Sequence, residues 1–328
     1  MSVEIDKISN DEALAVWDES PQATVFTHPS VLNKLSSGVD YYLARKGHRP
    51  LCLWPVCFTD ENKVFPPVFS YFVGPMWSKS SSSMPAHRWL SRSTQVYESF
   101  ITLFLDEYGE IQASLPKGLQ DVRVFDWWNY HDREKPRFDI RPRYTACINN
   151  LDQKDNNRIL AGFRQLRRRE LRNIESMGPP PRSERWETHD VIRLYKEIMV
   201  RQEIGVDEKF LKEIKSLVEI VNEGFGEIIA YEDPKKETII AACLLLYGKK
   251  DANMVLNLVD NDWRDTGLST LMVTESIFAA KEKGYHCYDF NGANSPNRGD
   301  DKHSYGASPI LYFDINYPGD QSREQFNI

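Results

Sequence analysis

The sequence predicts an α/β (α+β) protein of two domains, each a mixed sheet flanked by helices. Three observations carry this. The chain is 328 residues long, about twice the size at which a single core is commonest. Apolar runs of strand length alternate along it with segments of helical periodicity. A basic segment stopped by Gly178-Pro179-Pro180-Pro181 separates two such stretches. The predicted division is an N-terminal domain over 1–154, a basic helix and Pro-rich connection over 155–181, and a C-terminal domain over 182–328.

The first seventeen residues are acidic and helix-like, with an amphipathic segment over 11–18. Ser30, or Thr27 with Pro29 behind it, would cap a short helix running to Leu35. Strands follow over 41–45 and 50–58, separated by the hairpin signal Lys46-Gly47-His48. Residues 89–108 read as a helix with Val96, Phe100, Leu103 and Phe104 on one side. Residues 111–115 and 122–128 read as strands joined by a Pro116-Lys117-Gly118 turn, and 144–151 as another. Residues 156–175 read as one amphipathic helix with an arginine face, carrying Arg158, Arg164, Arg167, Arg168, Arg169 and Arg172. Beyond the prolines come helices over 188–201 and 207–222, then strands over 227–231, 238–247 and 253–259. A helix over 268–283 and strands over 286–291 and 310–315 complete the pattern.

Composition excludes several classes. Apolar content of 41% and aromatic content of 12% supply real cores. The net charge of -7 argues against a general nucleic-acid binder, DNA included, and against a polybasic membrane-surface protein. The N-terminus lacks a basic region followed by an apolar core, and no run has the roughly 18–20 apolar residues of a transmembrane segment. Cys52, Cys57, Cys147, Cys243 and Cys287 are odd in number and scattered. They suit a reducing compartment, hence the cytoplasm, and core packing. The histidines are equally dispersed, so no metal is expected.

Two stretches carry chemistry. A strand ending at Val259 runs into Arg264-Asp265-Thr266-Gly267-Leu268-Ser269, and this turn opens a helix. The first helical N–H groups lack internal partners and carry partial positive charge. Gly267 and Ser269 would let the backbone approach an anion and Arg264 adds a full charge, the means of holding a pyrophosphate without a metal. The same spacing also suits an ordinary strand–helix turn with a capping hydroxyl. The second stretch runs from Tyr288 to Gly306. It begins as a strand with Asp289 and Asn291 on one face, then breaks into a Gly/Asn/Pro-rich loop holding Asp300, Lys302 and Tyr305. Such loops concentrate catalytic residues, but Asp289 and Asn291 could equally bond loop backbone, and Lys302 could be a solvated lysine.

Together these stretches resemble the GNAT acyltransferase fold, whose pyrophosphate loop reads (Arg/Gln)-x-x-Gly-x-(Gly/Ala). The chain is similar in particular to the FemAB-like branch, built of two tandem GNAT-like domains. The features are Lys283-Gly-Tyr-His-Cys-Tyr-Asp-Phe-Asn-Gly292, Asp301-Lys302-x-x-Tyr305-Gly306 and Arg167-Arg-Arg-Glu-Leu-Arg-Asn173. In the first half, 115–127 and 141–145 look like polysaccharide-associated members. The likeness spans most of 26–313. Peptidoglycan-extending members have Asp-Pro at Leu115-Pro116 and Phe at Asp301, and some insert a coiled-coil arm not found here.

The resemblance implies an amide-forming acyltransferase that moves an acyl group from acyl-CoA, acetyl-CoA foremost, to the amine of an amino sugar. The acceptor would be a nucleotide- or lipid-linked precursor of a surface polysaccharide. Arg264, Thr266, Gly267, Leu268 and Ser269 would bind the donor. Lys302 would stabilise charge on it, Asp289 or Asp300 would take the amine's proton, and Tyr305 would protonate the leaving group. Trp127, Arg143, Tyr144, Arg168 and Asn291 would meet the acceptor. The arginine helix could hold phosphates, touch RNA, or be mostly a solvated face. Glu275 reads as a second acid/base candidate or as a buried partner of an arginine. An alternative is aminoacyl transfer from charged tRNA, disfavoured by the net acidity. Another is a non-catalytic binding protein on a degenerate fold.

Overall fold

In the computed structural model, which describes residues 3–319 apart from 80–83, 120 and 133, the chain forms two units. The first comprises Met1–Tyr144 and Leu311–Ile328, the second Thr145–Ile310. Residues 155–181, expected as a connection, fold wholly within the second unit. Residues 311–319, expected with the C-terminal domain, belong to the first unit.

The first unit opens on β1 (Glu4–Ile8), a strand where a helix-like stretch was expected, followed by α1 (Asn10–Glu19). Ser9 and Glu12 make a reciprocal capping box that starts α1 there and no earlier. Next is α2 (Pro29–Leu35). Its cap is His28, not Ser30 or Thr27: the Nδ1 accepts from the Ser30 N–H at 3.2 Å. Burial holds the His28 pKa below its ordinary value, which favours the neutral ring this bond requires. Strands β2 (Gly38–Lys46), β3 (Arg49–Phe58) and β4 (Met76–Trp77) join β1 in an antiparallel sheet of order β1-β2-β3-β4. The long α3 (Ala86–Tyr108) buries Val96, Tyr97, Phe100, Ile101 and Phe104. Around Trp54 the rings of Tyr97, Phe100, Phe104 and Phe125 stand edge-on at 5.3–6.3 Å. Strand β5 (Ile111–Ser114) pairs antiparallel with the C-terminal strand.

One expected strand is a helix. Residues 122–128 hold α4 (Arg123–Trp127), in which the neighbours Val124 and Phe125 are both buried. An extended chain would send them to opposite faces. Burial of Phe125 under Trp54 overrides the local β propensity. As a result Trp127 points outward, 51% exposed, with the Arg123 guanidinium over its ring, while Trp128 packs at the core's margin.

The second unit is built on one mixed sheet. Strand β6 (Asp139–Asn149) enters it at Thr145. Then come α5 (Asn156–Ala161), α6 (Gln165–Met177), β7 (Arg182–Ser183), α7 (Thr188–Arg201) and α8 (Glu208–Ile220). They are followed by β8 (Gly226–Glu232), β9 (Ile239–Tyr247), β10 (Asp251–Val259), α9 (Leu268–Glu282), β11 (Cys287–Asp289), α10 (Pro296–His303) and β12 (Ser308–Tyr317). Within the unit the order is β6-β11-β10-β9-β8-β7. Only β10 and β11 are parallel. Central β9, Ile-Ile-Ala-Ala-Cys-Leu-Leu-Leu-Tyr, is buried on both faces, as its unbroken apolar run requires. Both α7 and α9 pack on it.

Two expectations over helices change. The single basic helix is two, α5 and α6, broken at Gly162 and Phe163. There Phe163 turns into the core and the Arg164 N–H donates to Ser304 O. Residues 296–303, expected as loop, are α10, with Pro296 in its first turn, a helix-start signal.

All five cysteines are free and buried. Burial pushes the Cys57 and Cys243 thiols up to about 12, and the thiolate is the reacting form. The native protein is therefore expected to resist an aromatic disulfide reagent at pH 8, with five thiols appearing only in denaturant. Rapid reaction of Cys57 or Cys243 in the native state would contradict this packing.

Candidate active site

The second unit gathers the motifs of the C-terminal half around the place where its two parallel strands part. Strands β10 and β11 pair only over Asp251↔Cys287, Ala252↔Tyr288 and Asn253↔Asp289. Strand β10 continues for six more residues. Against β9 its register shifts between Met254 and Leu256, so Val255 is the extra residue of a β-bulge. On the other strand, the Phe290 N–H donates to Ala146 O at 2.9 Å, keeping the chain with β6 and away from β10. Asn291 then takes a left-handed φ of 54°. A bulge beside a parted neighbour interrupts the ladder on both sides of β10, the setting in which backbone N–H groups can become available to polarise a carbonyl.

The fork is tied at three points. Asp289, fully buried, accepts from the Thr145 hydroxyl and from the Asn291 N–H at 2.8 Å. Asn291, 1% exposed, donates through Nδ2 to Met254 O at 3.0 Å. Half-buried Lys302 donates from Nζ to the carbonyls of Asn291 and Gly292.

Beyond β10 the loop turns into α9. Thr266 donates its hydroxyl hydrogen to Trp263 O at 2.6 Å and accepts from the Leu268 N–H at 3.3 Å, satisfying the first N–H of a helix whose N-cap is Gly267. Gly267 has φ +91°. A Cβ there would lie 2.8 Å from Glu170 O on α6. Its missing side chain thus serves close packing against the arginine helix. Ser269 Oγ accepts from Asn257 Nδ2 at 3.2 Å, linking the loop to β10. Arg264 is exposed.

A third group locks α6, α9 and α10 together. Arg167 donates to Ser304 Oγ at 2.7 Å, to Glu170 Oε2 at 2.8 Å, to Thr270 Oγ1 at 3.1 Å and to Asp301. Its guanidinium lies 4.8 Å from the Tyr305 ring centroid. Thr270 gives its hydrogen to Glu170 at 2.6 Å. The Tyr305 hydroxyl, 3.3 Å away, must therefore donate to Thr270. Tyr305 is 1% exposed, and burial raises its pKa, so the phenol keeps its proton at neutral pH.

The sequence-predicted residues thus fall into several places. Asp289, Asn291 and Lys302 meet at the fork, and Thr266, Gly267, Leu268 and Ser269 form the loop beside it. Asp300 is an exposed carboxylate paired with Arg164 at 2.6 Å, and that bond lowers its pKa. Arg168 is exposed on α6. Trp127, Arg143 and Tyr144 belong to the first unit, where Arg143 pairs with Asp314 at 3.2 Å. Glu275 has Arg182 at 3.9 Å, the arginine partner considered for it. Sequence reasoning missed Thr145, Asn257 and Thr270. Thr145 carried one signal, a lone hydroxyl opening the apolar run Ala146-Cys147-Ile148.

Residues 161–303 match the family model of the acetyltransferase (GNAT) domain. That stretch of the chain is thus similar to a GNAT-type acetyltransferase domain. Over nearly its whole length it also shares the fold of solved tandem GNAT structures. FemX covers 95% of this chain and 96% of its own at 15% identity, with a TM-score of 0.63. A tandem GNAT protein from the clavulanic acid biosynthesis pathway covers 97% and 99% at 10% identity and a TM-score of 0.54. L-PGS from Bacillus licheniformis covers 97% and 94% at 12% and 0.51. At such identities these are likenesses of fold. No curated protein matches the sequence. In the GNAT domain the parted strands, the bulge and the Arg264–Ser269 loop are consecutive along the chain. Among the described residues no helix is long and apolar enough to cross a membrane.

Proposed function

We propose that this protein transfers an acyl group from acyl-CoA to the amine of an amino sugar carried on a nucleotide or lipid. The observation that supports it is the fork of β10 and β11, bulged at Val255 and continued directly into the loop that opens α9. In the step, the neutral amine nitrogen attacks the thioester carbonyl. The C–N bond forms, the C–S bond breaks, and the amine's proton is passed to the departing thiolate. The bulged backbone would stabilise the oxyanion. The Arg264–Ser269 loop would hold the pyrophosphate with Arg264 and the helix dipole. Lys302 is assigned to keeping the fork open in the correct shape. Tyr305 and Asp289 support the frame, and Asp300, drawn to Arg164, is a weak base.

A second reading, aminoacyl transfer from charged tRNA, is favoured by the FemX-like fold over nearly the entire chain. The two separate cleanly in one experiment. Acyl-CoAs of increasing chain length, or charged tRNA, are supplied with amino-sugar acceptors that are free, nucleotide-linked or lipid-linked. Thiol release and product mass are then recorded. Saturable amide formation from a CoA thioester is expected. Product from charged tRNA alone, with steep salt dependence, would replace the first reading with the second. Binding of an amino sugar without turnover of either donor would mark a non-catalytic protein.

A further inference from the structure

Asn291 is placed unlike any other residue of the fork. Its backbone sits in the left-handed region, at φ 54°, which asparagine tolerates better than most side chains. Its N–H is held by Asp289, itself held by Thr145, and its carbonyl by Lys302. The backbone is thus clamped on both sides of the Cα. From that clamp the side chain crosses to β10 and donates to Met254 O. This carbonyl immediately precedes the bulged residue, and the β10–β11 pairing has already stopped at Asn253↔Asp289. The side-chain amide therefore takes the place of a strand neighbour one step beyond the end of the ladder. The amide orientation follows from its partner: turned over, two acceptor oxygens would face each other. That leaves Oδ1 buried with no hydrogen-bond partner among the described residues.

Because the Met254–Val255 peptide is planar, fixing its carbonyl fixes the orientation of the whole peptide group at the start of the bulge. We propose that Asn291 is a positioning residue, which sets the geometry of the bulged backbone through Met254 and thereby the rate of acyl transfer. Thr145, Asp289 and Lys302 act through it. The rate consequence rests on the acyl-transfer reading above; the positioning itself does not. The device acts on the Met254–Val255 peptide, whereas the loop that would hold the donor's pyrophosphate, Arg264–Ser269, is tied to β10 by a separate bond, Asn257 to Ser269. Asn291 should thus govern turnover and not donor affinity.

The test uses the full chain with Asn291→Gly, which keeps the left-handed backbone accessible but removes the side chain. Asn291→Asp provides a second variant of the same shape, with an acceptor in place of the donor. Backbone hydrogen exchange over 254–257, donor affinity by calorimetry and kcat are measured for each, with Thr145→Val alongside. The expected result is exchange at least tenfold faster over 254–257, a kcat lower by 10- to 100-fold, and a donor Kd within threefold of the parent. Thr145→Val should show the same pattern with smaller changes. Unchanged exchange in a folded variant would overturn the positioning role whatever the activity. Faster exchange with unchanged kcat, or a loss carried wholly by donor affinity, would overturn the link to catalysis. If the parent turns over no donor, the acyl-transfer reading fails, and exchange alone decides the positioning.

Discussion

Lys302→Ala should reduce turnover by about 100-fold, with a melting temperature several degrees lower. The ammonium donates to two consecutive carbonyls, those of Asn291 and Gly292, where the chain leaves β11 in a left-handed turn. Removing a donor from a half-buried carbonyl costs about 1–3 kcal/mol. With two carbonyls affected and some water entering, a loss of about 2–4 kcal/mol is reasonable. At roughly 2–4 °C per kcal/mol for a unit of this size, the shift is readily seen by calorimetry. The effect on rate follows from freeing the turn that carries Asn291. Small displacements of a positioned group are costly in rate. Lys302→Arg, whose planar fork does not reproduce a compact ammonium, should recover only part of it. Full turnover by a folded Lys302→Ala protein would remove Lys302 from the site.

Gly267→Ala is expected to act on both stability and donor binding. A left-handed conformation costs an L-residue roughly 1–2 kcal/mol, and the new methyl would lie 2.8 Å from Glu170 O. That oxygen belongs to the backbone of α6 and cannot swing away, so the loop or the helix must shift. A total loss of about 2–4 kcal/mol is expected. The displaced loop should weaken acyl-CoA binding at least tenfold, measured by calorimetry, since the amides opening α9 would no longer converge. Unaltered affinity in a folded Gly267→Ala protein would mean that the donor's phosphates do not rest on this loop.

Much of the architecture was legible because the apolar pattern and the tertiary structure agree. The apolar run within 238–247 reads as a strand and is one, and the spacing in α9 matches the helix found. Errors arose where a single long-range contact decided the matter. Val122-Arg-Val-Phe has the composition of a strand, but Phe125 is claimed by Trp54, seventy-one residues earlier. The basic helix looks continuous until Ser304 accepts the Arg164 N–H from far along the chain. The start of α10 was within reach, since Ser295-Pro296 is a good helix opening.

The site was half legible. Asp289 and Asn291 stand out by their setting at the end of a strand and Lys302 by its place in the Asp301-Lys302-x-x-Tyr305-Gly306 element, and the structure gathers them. Their roles were not visible, because a hydrogen-bond partner is a property of three-dimensional neighbours: Met254 lies thirty-seven positions from Asn291, and Thr145 lies 144 from Asp289. Arg167 shows the same limit. Among the arginines of α6 it is the half-buried one that joins α9 and α10, a distinction no charge count conveys.

The extra residue in β10 also decides the parity of everything after it. Before the bulge, even-numbered Ala252 and Met254 belong to the core cluster that includes α9; beyond it, odd-numbered Val259 does, and Asn257 reaches Ser269 on the same helix. Were Val255 an ordinary member of the ladder, the alternation would stay on even numbers, sending Leu256 and Leu258 toward α9 and turning Asn257 away. Deleting Val255 would leave an unbroken ladder, with Leu256 still opposite Leu244 and Asn257 still opposite Cys243. What it would remove is the local kink and extra twist at the point where β10 parts from β11.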